Sequence, residues 1–163
     1  MTKLTYKPTI LENWVSRFYR NNGLLNPDDL YISDISHKLD ICVTYDRPLT
    51  YSFEQDNLKL ININYELPTY KQREAFFHEL CHIIRHTGNQ MMMPEAFREL
   101  QERDAQHFTI YASIPFHMLT QYKLKDDHVH WTLADDFNVP VEIARERVER
   151  IYRNATKKQK MYA

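Results

Sequence analysis

"REAFFHELCHIIRHTG", residues 73–88, is the stretch whose reading decides the fold. On a helix at about 100° per residue, Phe76, Phe77, Leu80, Cys81, Ile83 and Ile84 cover one broad side. His78, Glu79 and His82 fall on the opposite side, beside small Ala75. The apolar face is complete without the histidines, so packing does not explain them. Two imidazoles four residues apart project from one face, about 6 Å apart along the axis. That separation lets one ring nitrogen from each reach a single Zn²⁺ at about 2.0–2.1 Å. Glu79 sits beside them and off the metal axis, where a carboxylate can take a proton from water at the metal. The alternative is a surface helix that happens to carry two histidines. The mid-helix position and the self-sufficient apolar face argue against it.

Two side chains do not complete a zinc site. His86 continues the i, i+4, i+8 series but lies about 12 Å along the axis from His78. Ligands of one zinc stand only about 3–4 Å apart, so His86 reads as a support for a ligand or as a substrate-facing residue. Gly three after His82 and His six after it would make a metzincin; Arg85 and Gly88 occupy those positions and exclude it. The next helix, "PEAFRELQERDAQHFTIYA" (residues 94–112), offers carboxylates. Its apolar stripe reads Phe97, Leu100, Phe108 and Tyr111, with Asp104 between. Glu102, Ala105, Gln106 and Thr109 form an adjacent face, and small Ala105 permits close approach of the two helices. Glu102, 20 residues after His82, is the preferred third ligand, with Glu99 and His107 open as alternatives.

The remainder of the chain sets the architecture. Its 163 residues are 43% hydrophobic and 13% aromatic, enough for a core and against disorder. A net charge of -1 does not suit a chain that binds polyanions over its whole surface. Cys42 and Cys81 form no CxxC pair, the usage of a reducing compartment. No signal core or run of about 18 apolar residues is present, so the reading is a soluble cytoplasmic protein with no membrane segment. Residues 9–22 read as a helix with Ile10, Trp14, Val15 and Phe18 inward and Gly23 as its stop. Residues 26–39 read as a second helix capped by Asn26 with Pro27 at its first position. "DICVTYDRPLTYSFEQDNLKLININYEL" (40–67) reads as three short strands in an antiparallel meander. "NLKLININ" (57–64) is its expected edge near the site, with an interior position equally open. Helices follow at about 69–87, stopped by Gly88, and at about 94–111, 130–137 and 140–153. The class is α+β, one zincin-like domain over 1–163. It divides into N-terminal helices (1–38), sheet (39–66), zinc-site helices (67–115) and a C-terminal helical hairpin (128–155). Met91, Met92 and Met93 read as adaptable core filling, with a substrate rim as the alternative.

The hairpin, "HWTLADDFNVPVEIARERVERIYRN" (130–154), has a helix-turn-helix look. Residues 140–163 hold seven Lys or Arg against three Glu, which would suit DNA. The preferred reading is a clamp: Leu133, Phe137, Val139, Ile143 and Val148 pack inward, while Arg145 and Arg147 pair with Glu142, Glu146 and Glu149 on the solvent side.

"HELCH" followed by "ERDAQHFTIYASIP" resembles the ImmA/IrrE family of zinc metallopeptidases over about residues 25–153. That family's pattern is HExxH, then Glu-x-x-Ala-(Asn/Asp)-x-Phe-Ala, then an apolar run ending in Pro. His78, Glu79, His82, Glu102, Ala105, Phe108 and Pro115 match it. Gln106 replaces Asn or Asp, Thr109 replaces the second Ala, and Cys81 stands where Gly is common. The resemblance implies one Zn²⁺ per chain, held by His78, His82 and Glu102, with Glu79 as general base. His86, His107 and Tyr111 are candidates to stabilise an oxyanion, and Gln106 to support the site. It also implies a protein substrate, a helix-turn-helix repressor of a phage or mobile element, and an anti-repressor of the short type, since 163 residues leave no room for an added sensor domain. The alternative is a non-catalytic zinc-containing regulator that binds a repressor or DNA through the C-terminal hairpin.

Overall fold

The computed structural model describes residues 6–86 and 92–161. Thr9 and Glu12 start the first helix, α1 (Ile10–Asn21), with a reciprocal capping box. The Thr9 hydroxyl accepts the Glu12 N–H at 3.2 Å, and the Glu12 carboxylate accepts the Thr9 N–H at 2.7 Å. Gly23 ends it at φ +72°, a backbone region open to glycine. There the N–H of Leu24 reaches the Tyr19 carbonyl at 2.9 Å and that of Gly23 reaches Arg20 at 3.1 Å. Its inward face is the expected one in part: Val15 is buried and Trp14 and Phe18 pack against the core, but the buried set is wider and leaves out Ile10. Val15 and Tyr19 are buried, as are Glu12 and Ser16, whereas Ile10 is 91% exposed. Glu12 turns inward because its partner, Arg147, lies there.

Residues 26–39 do not form one helix. A 3-10 turn at Pro27–Leu30 is followed by α2 (Ile32–Lys38), with Tyr31 extended between them at ψ 141°. The Asp29 carboxylate accepts the N–H groups of Leu25 and Asn26, both at 2.9 Å. Those bonds satisfy the first turn locally, so the chain can break at Tyr31 and start again.

The sheet corrects the meander. Strands β1 (Cys42–Thr44), β2 (Tyr51–Gln55) and β3 (Leu58–Asn62) are ordered β1-β3-β2. β2 and β3 form an antiparallel hairpin turned at Asp56, φ 54°, with Ser52 opposite Ile61. β1 runs parallel to β3, with Cys42 opposite Leu60. The "NLKLININ" strand is therefore central, and β2 is an edge. Asn62 explains the crossing. Fully buried, its side chain accepts from the Thr44 hydroxyl at 2.8 Å and the Asp46 N–H at 3.0 Å, and donates to the Leu49 carbonyl at 2.6 Å. The segment that carries the chain from β1 past β3 to β2 is thus fastened over the end of β3.

Two long helices, α3 (Thr69–Arg85) and α4 (Glu95–Ser113), make the most extensive helix pair. A 3-10 segment, Phe116–Gln121, leads to α5 (Val129–Phe137) and α6 (Val141–Met161), joined through Asn138 in the left-handed region. The expected stripe on α4 is only half right: Phe108 and Tyr111 are buried, but Phe97 and Leu100 are 61% and 58% exposed. Met92 is 84% exposed, which rules it out as core filling; Met91 and Gly88 lie outside the described residues. In the hairpin, Leu133, Phe137, Val139 and Ile143 are buried and Val148 packs against the core, as the clamp reading expects. Arg147 departs from it. This side chain is fully buried, 2.5 Å from the Glu12 carboxylate, and its Nε donates to the Ile114 carbonyl at 2.9 Å. The architecture is α+β, a three-stranded sheet with six α-helices among the described residues. None of those helices is long and apolar enough to cross a membrane.

Candidate metal centre

Burial fixes the rotation of α3. Phe76, Phe77, Leu80 and Cys81 are fully buried and Ile83 nearly so, which leaves His78 and His82 on the side that meets α4. Ala105 of α4 is fully buried, so no long side chain holds the two helices apart there. Glu102, one turn before Ala105, then reaches both rings. Its two carboxylate oxygens lie 3.0 Å from His78 Nε2 and 3.0 Å from His82 Nε2, and the two Nε2 atoms are 3.4 Å apart. Ligands of a tetrahedral zinc, each about 2.0–2.1 Å from the ion, stand about 3.3–3.4 Å from one another. The three donors are nearly at that spacing, and their chemistry, two imidazoles and a carboxylate, is the set a zinc hydrolase uses. Burial holds the His82 imidazole below the usual histidine range, against the pull of Glu102. A neutral ring is what a metal requires.

Glu79 is half-buried next to this cluster. Burial pushes its carboxyl up, while a hydrogen bond with Ser52 and the nearby His78 pull the other way. Ser52 lies on β2, so the edge strand of the sheet passes directly beside the centre. The sequence offered no signal for Ser52, because strand periodicity does not say which strand is outermost.

His86 and Asp104 form a second cluster beneath the first. His86 Nδ1 is 3.0 Å from His82 Nδ1, and His86 Nε2 is 2.9 Å from Asp104 Oδ2. Arg85 Nε donates to the same carboxylate at 3.0 Å, and its guanidinium stacks 4.6 Å from the centre of the Trp14 ring. Burial opposes the charge on Asp104, but the bonds from Arg85 and His86 outweigh it and hold the carboxyl below its usual range.

The remaining candidates lie elsewhere. His107 and Tyr111 are about 140° and 180° round α4 from Glu102. Both accept from Arg150 of α6, at 2.8 Å and 3.3 Å. Glu99 is exposed on α4. Gln106 lines a groove that opens beside His78 between α3, α4 and α6. It holds about 490 Å³, with Leu67, Ala75, Ile110 and Ile143 as apolar walls and Glu74, Glu142 and Glu146 on its acidic side.

The peptidase M78 family model, described as the IrrE N-terminal-like domain, matches residues 38–149. The chain belongs to this family, the ImmA/IrrE group. Its matched span holds all of the convergent side chains and the whole sheet, and omits α1. One similar protein is the phage-like element PBSX protein XkdA of Bacillus subtilis (strain 168), 33% identical over 141 residues, covering 85% of this chain and 71% of that protein. Another is the uncharacterized protein YqaB of the same strain, 25% identical over 155 residues, covering 94% of this chain and 90% of that one. No solved structure matches. Membership in a metallopeptidase family implies a metal, usually zinc, and a protein substrate. The His78, His82 and Glu102 donor set fits such an ion.

Proposed function

We propose that this M78-family protein is a zinc-dependent endopeptidase that makes a single cut in a cytoplasmic helix-turn-helix repressor of a phage-like element. The observation that carries the reading is the convergence of His78, His82 and Glu102 within 3.4 Å with Glu79 alongside. His78, His82 and Glu102 would hold a zinc ion, which would supply Lewis acidity towards water and a carbonyl. Glu79 supplies the proton traffic: its carboxylate accepts a proton from the attacking water and hands it to the departing amine. Ser52 orients that carboxylate by hydrogen bonding. A substrate in extended form pairs with the open edge of β2, which lays its scissile bond across the three candidate ligands. The groove beside His78 receives an adjoining side chain. The hairpin arginines bear on the partner. Arg147 is buried on Glu12, while Arg150 and Arg153 bond Glu146. Those three charges are already engaged within the protein, which favours a protein partner over DNA.

The test is incubation with the repressor encoded in the same element, and separately with unfolded casein. One discrete cut in the repressor, spared casein, and a loss of about 10²–10⁴-fold in rate for Glu79→Gln are expected. Casein digestion with an intact repressor would overturn the substrate assignment. An unimpaired Glu79→Gln protein would point instead to a regulator that binds without cutting.

A further inference from the structure

We propose that Asp104 acts through His86 as a positioning pair that fixes which nitrogen of His82 is presented to the metal. The proposal rests on the metal-centre reading above and goes beyond it to the residues behind the ligands. Four atoms lie in sequence: Asp104 Oδ2, His86 Nε2 at 2.9 Å, then His86 Nδ1 and His82 Nδ1 at 3.0 Å. The proton assignment follows from one end. A carboxylate only accepts, so His86 Nε2 must carry the hydrogen. In the singly protonated ring that the proposal assigns to His86, Nδ1 is then an acceptor. The facing His82 Nδ1 must then be the donor. His82 Nε2 is left with its lone pair, and it is this atom that stands 3.0 Å from Glu102 and 3.4 Å from His78 Nε2. One carboxylate thereby sets, through two rings, the tautomer that ligation needs.

The anchor is built to stay put. Arg85 binds the Asp104 carboxylate through Nε at 3.0 Å and a terminal nitrogen at 3.4 Å, and lies over Trp14 of α1. The same cluster offers a rival use. Cys81, His86 and Asp104 present donor atoms within 4.8 Å of one another, close enough for a metal of their own. Arg85 argues against this, because a cation there would have to displace a guanidinium.

The experiment uses the full chain loaded with zinc. Zinc affinity is measured by competition with a chromogenic chelator, and ring-nitrogen protonation by ¹⁵N-histidine NMR. The wild-type spectrum should show His86 protonated at Nε2 and bare at Nδ1, and His82 protonated at Nδ1. Asp104→Leu should weaken zinc binding by about 10–100-fold with the helical circular dichroism retained. Asp104→Asn, whose amide oxygen still accepts from His86, should lose less. The proposal is overturned if a folded Asp104→Leu binds zinc as tightly as wild type, or if His86 carries its proton on Nδ1 or on both nitrogens. A second equivalent of zinc that vanishes in Cys81→Ser would also overturn it. The wild-type spectrum decides the matter even where a variant fails to fold. Wild-type protein that binds no zinc would remove the metal-centre reading itself, a result distinct from every one of these.

Discussion

Glu102 is the residue on which the centre turns, because it alone joins the two helices through the proposed ion. Protein purified without chelator should carry one zinc by elemental analysis. Glu102→Ala should lose it, while His86→Ala keeps one equivalent held more weakly; the reverse pattern would make His86 the ligand. The two histidines were legible because i, i+4 spacing places them on one face whatever surrounds the helix. Asp104 was not: it read as an intruder in an apolar stripe, and only the packing of α3 on α4 turns it to His86. His117 is a second residue that sequence left unmarked. Its Nε2 donates to the Leu24 carbonyl at 3.0 Å, and its Nδ1 lies 3.1 Å from the Ser16 hydroxyl, a group able to donate to a neutral ring. Burial lowers its pKa, against the pull of the Leu24 carbonyl. With a folded pKa below the unfolded one, the folded state binds fewer protons. The stability it contributes is complete above the unfolded value of about 6.5 and is lost as pH falls from there toward the lowered folded pKa. Urea denaturation between pH 8 and 5 should therefore show a fall that flattens in His117→Phe. Equal slopes for the two proteins would refute the assignment.

Among the elements, α3 was the easiest to read and the sheet the hardest. A helix declares its buried face by a 3.6-residue period, and six of its residues went where that period put them or close to it. Short strands declare their existence by composition, but pairing order is a matter of what the connections can reach. Here the deciding residue is Asn62, a polar side chain at the end of an apolar strand. It converts an expected meander into a parallel β1–β3 pair, and so makes β2 the edge that runs past Glu79. Asn62→Leu keeps the number of side-chain heavy atoms but takes the hydrogen-bond partner from the Thr44 hydroxyl, the Asp46 N–H and the Leu49 carbonyl. A cost of about 0.5–1.5 kcal/mol is expected per hydrogen bond lost, since Thr44 is half-buried and Asp46 and Leu49 can turn to water. The denaturation midpoint should drop accordingly, and amide exchange should quicken first in residues 44–52. A loss spread evenly over the helices, with that segment still protected, would show that Asn62 does not fasten the crossing.

At the scale of the whole molecule, the first and last helices, α1 and α6, are joined by a buried ion pair. Glu12 of α1 and Arg147 of α6, 135 positions apart, form an ion pair in which both side chains are fully buried. The Tyr6 hydroxyl and the Thr9 N–H also donate to Glu12, and Arg147 packs 4.9 Å from the centre of the Tyr111 ring of α4. Sequence could not show this. Arg147 sits in a run of alternating charge that reads as a solvated face, and nothing in the sequence singles out Glu12. Both desolvated charges depend on each other, so removing one strands its partner. Arg147→Met should cost about 3–5 kcal/mol, because it leaves the Glu12 charge buried without its cation. Replacing both, Glu12→Leu with Arg147→Met, should cost much less than the two single changes added together, since an apolar pair of similar size asks for no counter-charge. The comparison belongs in metal-free protein, where zinc binding adds nothing to apparent stability. If the double variant lost as much as the sum of the singles, the two side chains would be contributing independently. The α1–α6 clamp would then rest on apolar packing rather than on the pair.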